Sequence, residues 1–299
     1  MHQHSKNPKN IASSLGCASM RQSGLAKMVG FGAILAVLSL NPSLHAGVVG
    51  LWCFDEGTGT TTQDLSGNSL TGTLSSTTNW TANHPAGATY DYAGNHAVAF
   101  DKNNLQQVTI GNSSSLNAAA VSIQFWYKDS SEASVGDPNY SYIGARAGSW
   151  FIERYRADAN SPICLRLYLK RSDATGEWYT STYNITRDLY VGQDGKWHNI
   201  AFTCTADGIF SSYRDGVLYG STNYNKTLAT DGTSAVTLGV YTYSSARRNS
   251  FAMDEFVIYN EAITAGQVLA NYQTSLVPEP ASLALLAVGG LLVCRRKRG

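Results

Sequence analysis

Apolar and polar residues alternate in short runs through most of the stretch from 47 to 276. Residues 121–127 read Val-Ser-Ile-Gln-Phe-Trp-Tyr, with an apolar side chain at every second position, which is the period of a half-buried strand. Comparable runs predict strands at 48–54, 96–100, 106–110, 140–145, 149–155, 163–169, 177–183, 197–205, 209–214, 217–221, 236–240 and 251–259. Asp207-Gly208 and Asp215-Gly216 fall between such runs and predict tight hairpins, because both residue types tolerate positive φ. Asp101 to Asn104 predicts another hairpin, and 64–74, centred on Ser66-Gly67-Asn68, reads as a turn-rich loop. One short helix is expected at 264–272. About a dozen strands at this spacing predict an all-β, antiparallel two-sheet sandwich. No Pro- or Gly-rich linker divides the region and no repeat runs through it, so 47–276 reads as one domain.

The two ends depart from this pattern. Residues 1–27 are polar, carry Lys6, Lys9, Arg21 and Lys27, and have no acidic residue. An apolar run, 28–40, follows; Asn41-Pro42 breaks it, and Leu44-His45-Ala46 offers a cleavage site. This is the layout of a secretory signal peptide, so 1–46 is expected to leave the mature protein. At the other end Pro278-Glu279-Pro280 precedes an apolar run, 281–293, and the basic cluster Arg295, Arg296, Lys297 and Arg298. As a hydrophobic helix that run covers about 20 Å, against ~30 Å of hydrocarbon. It predicts a transient inner-membrane anchor with its basic end in the cytoplasm. Together, residues 277–299 resemble the PEP-CTERM sorting signal of Gram-negative bacteria. The resemblance implies export, recognition by an exosortase-type sorting protease near Pro278-Glu279-Pro280, and release to the cell envelope surface or extracellular matrix. An ordinary C-terminal membrane anchor is the simpler alternative.

Charge changes the picture once the ends are set aside. The whole chain carries a formal +1, but residues 47–276 hold 14 Lys and Arg against 20 Asp and Glu. Such a domain has no basic footprint for nucleic acid. All 17 Tyr and all six Trp lie in this region, amid many Gly, Ser, Thr and Asn. Tyr and Thr suit half-buried strands, and Gly, Asn and Ser suit turns. Cys53, Cys164 and Cys204 are an odd set, which in an exported domain allows one disulfide and leaves one thiol. Alternation puts Cys204 with Ile200 and Phe202, and Cys164 with Arg166 and Tyr168, and the pairing stays open.

Four stretches of the domain, taken together, resemble the laminin-G-like or concanavalin-A-like jelly-roll family. Residues 50–59 (Gly-Leu-Trp-Cys-Phe-Asp-Glu-Gly-Thr-Gly) with 64–68 are similar to its opening strand and turn. Residues 97–101 with 108–110 are similar to its next hairpin, and 197–202 with 213–216 to its central one. Residues 251–259 and the short helix are similar to its closing strand. The resemblance implies a jelly-roll sandwich. It does not specify a function, because the fold hosts lectins, glycosidases and adhesion modules.

Three chemistries remain to weigh. A glycosidase needs two carboxylates about 5–5.5 Å apart for retention or ~6.5–9.5 Å apart for inversion. No Glu-x-Asp-x-x-Glu pattern is present, and Glu153 with Asp158 and Asp254 with Glu255 point to opposite sides of any strand. The domain therefore reads as non-enzymatic. Calcium takes six to eight oxygens. Relatives of this fold often carry such an ion, so Asp101, Asp254 and Glu255, with Asp64 and Asn68 from the nearby turn, are candidate calcium ligands; the competing reading is that these residues build turns. Carbohydrate recognition needs exposed rings beside polar groups. Trp80, Trp150, Trp178, Tyr241 and Tyr243 are the leading candidates, with Tyr90, Tyr92, Tyr140, Tyr142 and Tyr224 behind them, while Trp52, Trp126 and Trp197 read as core. His198 reads as a packing histidine, and Lys170-Arg171 and Arg247-Arg248 as solvated pairs. The expected function is an exported binding or adhesion module for extracellular polysaccharide. A ligand-free structural role in a surface layer or biofilm matrix is the main alternative, ahead of a divergent glycoside hydrolase.

Overall fold

The computed structural model describes residues 47–75, 79–85, 96–130, 139–156, 158, 161–174, 184–191, 194–230, 232–239 and 247–275. All the described residues lie in one compact unit of the chain. The strands are β1 (Val48–Trp52), β2 (Thr61–Thr62), β3 (Gly72–Leu74), β4 (Asn79–Thr81), β5 (Ala97–Phe100) and β6 (Val108–Ile110). They continue with β7 (Val121–Asp129), β8 (Tyr140–Arg146), β9 (Trp150–Tyr155), β10 (Cys164–Lys170), β11 (Asn184–Tyr190) and β12 (His198–Cys204). The last are β13 (Ile209–Arg214), β14 (Val217–Asn223), β15 (Val236–Leu238) and β16 (Phe251–Tyr259), and one α-helix, α1 (Ala265–Ser275), follows.

The strands form two antiparallel sheets. One runs β14-β13-β12-β7-β16-β5-β4, with β1 also on β16, and the other runs β11-β10-β9-β8-β15-β6-β3-β2. The described elements are almost all strands, as the alternation predicts, and the jelly-roll reading holds. Both Asp-Gly hairpins are present: β12 pairs β13 across Asp207-Gly208, and β13 pairs β14 across Asp215-Gly216. At the second, both residues have positive φ, 53° and 76°, the signature of a two-residue turn matched to strand twist.

The expected hairpin at Asp101–Asn104 is corrected. Strand β5 pairs β4 and β16 in one sheet, while β6 pairs β3 and β15 in the other. The Asp101 carboxylate organises a crossing turn by accepting from the Asn103 backbone N–H and from the side-chain amides of Asn103 and Asn104. Local turn chemistry is alike for a hairpin and for a crossing between sheets, so the sequence signal did not separate them. The short strands β2 and β3 flank and enter the stretch read as loop, and β11 lies just beyond the expected strand 177–183, of which 177–182 and 183 fall outside the described residues.

The inner faces meet in one core. Ile123, Phe125 and Tyr127 of β7, Ile200, Phe202 and Cys204 of β12 and Phe256 of β16 pack with Trp150, Ile152, Leu165, Leu167 and Leu169 of β9 and β10. Each such side chain contributes about 1.5–3 kcal/mol on burial. Trp52 is fully buried and donates its indole N–H to the Leu70 carbonyl at 2.8 Å. An ion pair also bridges the sheets: Arg154 Nε lies 2.8 Å from Asp129 Oδ2, which accepts from the Tyr127 hydroxyl at 2.7 Å. Arg146 is buried too, and its guanidinium donates to Leu116, Gly232 and Ser234 carbonyls and to Asn112 and Asn117 side chains. All five of its N–H groups are thereby satisfied.

The allowed disulfide is also corrected: Cys53, Cys164 and Cys204 are not bonded to one another. Cys204 faces the core, whereas Cys164 lies on the outer side of the other sheet with Arg166 and Tyr168. The thiol of Cys204 is pushed up to about 12, first by burial and then by Asp207, so it is unreactive at neutral pH. Among the described residues no helix is long and apolar enough to cross a membrane. The expected tail helix and the sorting residues Pro278, Glu279, Pro280, Arg295, Arg296, Lys297 and Arg298 lie outside the described residues.

Candidate functional site

One sheet has its outer face covered. Helix α1 begins with a capping box: Gln267 N–H donates to Thr264 Oγ1, and the Gln267 side chain accepts from the Thr264 N–H. Its Val268 joins Ile263, Tyr259, Tyr213 and Ala201 in a second apolar cluster on that face. Asn271 then donates to Gln124 at 2.8 Å and to the Tyr259 hydroxyl at 2.9 Å. The helix thus seals the sheet containing β7 and β12.

The other sheet carries a different outer face. In β9 the inward residues are Trp150, Ile152 and Arg154, so Phe151, Glu153 and Tyr155 point out. In β10 the inward leucines 165, 167 and 169 leave Cys164, Arg166 and Tyr168 outside. Register sets Tyr140 opposite Tyr155, Tyr142 opposite Glu153 and Ala145 opposite Phe151, and then Glu153 opposite Arg166 and Phe151 opposite Tyr168. The outcome is a layer of rings around one ion pair. Phe151 and Tyr168 stack at 4.2 Å between centroids, and Tyr142 meets Phe151 edge-on at 5.8 Å. The Arg166 guanidinium lies 4.0 Å above the Tyr155 ring, and Arg247 lies 5.6 Å from the Tyr140 ring, within the range of cation–π attraction. Glu153 accepts from the Tyr168 hydroxyl at 2.8 Å and pairs with Arg166 at 3.4 Å. Burial, then the Glu153 charge, holds the Tyr168 phenol well above its ordinary range, so it remains a hydrogen-bond donor. Tyr140, Tyr155, Tyr168 and Arg166 are half-buried, whereas Tyr142, Phe151 and Glu153 beside them are buried. Flat rings beside fixed donors and acceptors can receive the apolar face and the hydroxyls of a sugar.

The predicted ring residues are scattered. Trp150 is corrected: it is 2% exposed and packs on Phe256 in the core, because β9 turns it inward. Trp80 sits half-buried on the edge strand β4, with its indole N–H on the Gly59 carbonyl at 2.9 Å. Trp178, Tyr241 and Tyr243 lie outside the described residues. The outward rings of β9 and β10 were missed, although alternation against Ile152 and the three leucines was a usable signal for them.

The candidate calcium residues also separate. Asp64 gives its carboxylate to the N–H groups of Leu51, Ser66 and Leu70. Asn68 donates to the Val49 carbonyl and the Ser66 hydroxyl, and Asp101 organises its turn as described. Asp254 and Glu255 sit in a bulge of β16 opposite β7, with Glu255 at φ 48°. Asp254 is buried, and its carboxyl is held well above the ordinary range by that burial, then by Glu255 and Asp55. Burial and the same acidic neighbours also push up the Cys53 thiol. Among the described residues no three or more His, Cys, Asp or Glu converge as a metal-binding group. His198 is a structural clamp, with Nδ1 2.8 Å from Asp215 and Nε2 3.4 Å from Asp194.

Residues 101–269, more than half of the chain, match the model of the concanavalin A-like lectin/glucanases superfamily, and the chain belongs to it. Residues 276–298 match the PEP-CTERM protein-sorting motif. No curated protein sequence matches the chain. Among solved structures, it resembles the binding domain of Paraclostridial Mosquitocidal Protein 1 with a TM-score of 0.57 at 14% identity, covering 77% of this chain and 52% of that one. The botulinum neurotoxin serotype G binding domain follows, with a TM-score of 0.55 at 14% identity, over 76% of this chain and 51% of that one. Domain 4 of AbnA, a GH43 extracellular arabinanase from Geobacillus stearothermophilus solved in complex with arabinotriose, gives a TM-score of 0.50 at 18% identity, over 75% of this chain and 98% of that one. The chain thus spans about half the length of the first two, and these likenesses establish the fold alone.

Proposed function

We propose that the chain is an exported, non-catalytic module that binds extracellular polysaccharide on the outer face of β8, β9 and β10. One observation carries the reading: the half-buried side chains of Tyr140, Tyr155, Tyr168 and Arg166, packed on buried Phe151 and Glu153, lie on the sheet face that α1 does not cover. The binding domains among similar structures, and the arabinanase domain solved with arabinotriose, support it. The match to the sorting motif supports processing by an exosortase-type protease, a transient inner-membrane stage and delivery to the envelope surface or matrix.

The test is affinity electrophoresis of the purified protein through gels holding neutral and acidic polysaccharides. The wild type is expected to be retarded by one class. Tyr155→Ala and Arg166→Ala should each weaken that retention at least about tenfold, the loss of ~1.4 kcal/mol. Retention by no polysaccharide, or equal retention of both variants, would remove this reading.

A further inference from the structure

Of the large apolar side chains exposed among the described residues, four lie together where β14 meets α1. Strand β14 opens with Val217, Leu218 and Tyr219, which are 67%, 51% and 51% exposed. Leu269 of α1, 39% exposed, lies beside the turn that precedes them, since a Cβ on Gly216 would sit 2.8 Å from its side chain. Tyr213 stands opposite Leu218, and Ser212 opposite Gly220, so Tyr219 is the extra residue of a bulge in β14. A bulge twists an edge strand away from any further strand, so main-chain pairing is a poor way to cover these side chains. Tyr213 belongs to the sheet face that α1 covers. Leu218, directly opposite it, shares that face, and so stands on the same side of the sheet as Leu269. Neither β14 nor α1 contains a charged residue. The charges just before the patch, Arg214 and Asp215, lie 3.8 Å apart as a pair.

We infer that this patch is a bilayer contact: Val217, Leu218, Tyr219 and Leu269 enter the boundary between lipid headgroups and acyl chains while the tail still anchors the chain. The inference rests on the anchored stage proposed above. Chain length argues for lipid as the occupant. Helix α1 ends at Ser275 and the sorting motif begins at 276. Leu269 is six helical residues before Ser275, about 9 Å. The apolar run 281–293 starts six residues after Ser275, at most about 20 Å of extended chain. An inserted tail therefore holds the patch within about 30 Å of the membrane and at high effective concentration against it. Charge argues the same way. The domain has 20 acidic residues against 14 basic ones, so it approaches a membrane best on an uncharged surface, which is what β14 and α1 present. Side-chain chemistry adds a third reason, since leucine and valine suit the acyl boundary and tyrosine suits the headgroup level. The apolar run alone is shorter than the hydrocarbon layer, so a second contact from the domain strengthens a marginal anchor, and it is lost when the tail is cut away.

The experiment reconstitutes the full chain into phosphatidylcholine vesicles that contain a phosphatidylcholine with a photoactivatable acyl chain, and maps the lipid adducts by peptide. Adducts are expected both in the tail, within 281–293, and at Val217–Tyr219 and Leu269. In co-sedimentation with plain phosphatidylcholine vesicles, the double variant Leu218→Ser, Leu269→Ser should be retained at least about tenfold more weakly than the wild type, at low and at high salt. Both positions are exposed, so its far-UV spectrum and thermal midpoint should not change. Adducts in the tail alone overturn the inference and leave the anchored stage standing; the patch is then covered by a second copy or another protein, or stays in water. Equal retention of the variant overturns it as well. Absence of adducts from the tail removes the anchored stage, and the bilayer contact falls with it.

Discussion

Two residues report on electrostatics with opposite signs. His198 is held between Asp215 and Asp194, and the Asp215 hydrogen bond raises its pKa against the opposing effect of burial. A raised histidine stabilises the fold fully below its unfolded pKa of about 6.5, and that stabilisation is lost as pH rises through the folded value. Thermal midpoints of wild type and His198→Asn are therefore expected to differ most near pH 6 and to converge in mild alkali; a constant gap would mean that the imidazolium is not what holds the clamp. Asp254 is the reverse case, a carboxyl whose pKa is raised by burial and then by Glu255 and Asp55. Its ionisation opposes folding at neutral pH, with no cost once pH falls below the ordinary carboxyl range. Asp254→Asn keeps an acceptor for the Glu255 N–H and removes the charge. At neutral pH it should raise the melting temperature, by an amount that shrinks as pH falls below the ordinary carboxyl range. A variant that melts lower at neutral pH would show that the carboxylate stabilises the fold.

At the scale of elements, turns and edges decide more than propensity does. Gly216 has φ 76°, and a Cβ there would also press on Leu269 of α1 at 2.8 Å. Gly216→Ala is expected to cost about 1–2 kcal/mol from the left-handed backbone alone, read as a lower urea midpoint at unchanged slope. An unchanged midpoint would mean that the hairpin and helix relax around the methyl group. The same hairpin was legible in the sequence, because Asp-Gly between alternating runs has few other solutions. Asp101–Asn104 was not, since whether a turn keeps the chain in its sheet depends on partners far along the chain, here β16 and β15. The short strands β2, β3 and β4 were hidden for a related reason: at two or three residues they have no period to detect and exist through pairing alone. The ring platform was half legible. Alternation placed Arg166 and Tyr168 on one face with Cys164, but only the register of β9 against β10 brings Glu153 and Phe151 to them. Trp150 was misjudged although 149–155 was read as a strand, because alternation alone does not tell which of a strand's two faces turns to the core.

The whole molecule depends on two sheets behaving as one body, and the Asp129–Arg154 pair is a buried polar bond between them. Arg154 is fully buried and Asp129 nearly so, with Tyr127 and Asn249 also donating to the same carboxylate oxygen. The pair gains Coulomb attraction from burial but has lost the hydration of both charges, so its net contribution over apolar packing is small. Breaking it is another matter. Arg154→Met leaves Asp129 buried without its cation, which costs about 3–5 kcal/mol. It also removes the cationic influence that opposes the rise in the Tyr127 pKa caused first by burial and then by Asp129. Changing Asp129→Leu together with Arg154→Met removes both charges and should recover most of that loss, leaving a residual penalty for the orphaned Tyr127 hydroxyl and Asn249 amide. Urea unfolding of the wild type, the single variants and the double variant checks this. If the double variant is as unstable as the sum of the two singles, the residues act independently and the sheets are held by apolar packing alone. If it recovers, the core of Trp150, Phe256 and the facing leucines already joins the sheets. The ion pair then fixes their relative alignment, and with it the position of the ring layer on the outer face of β9 and β10.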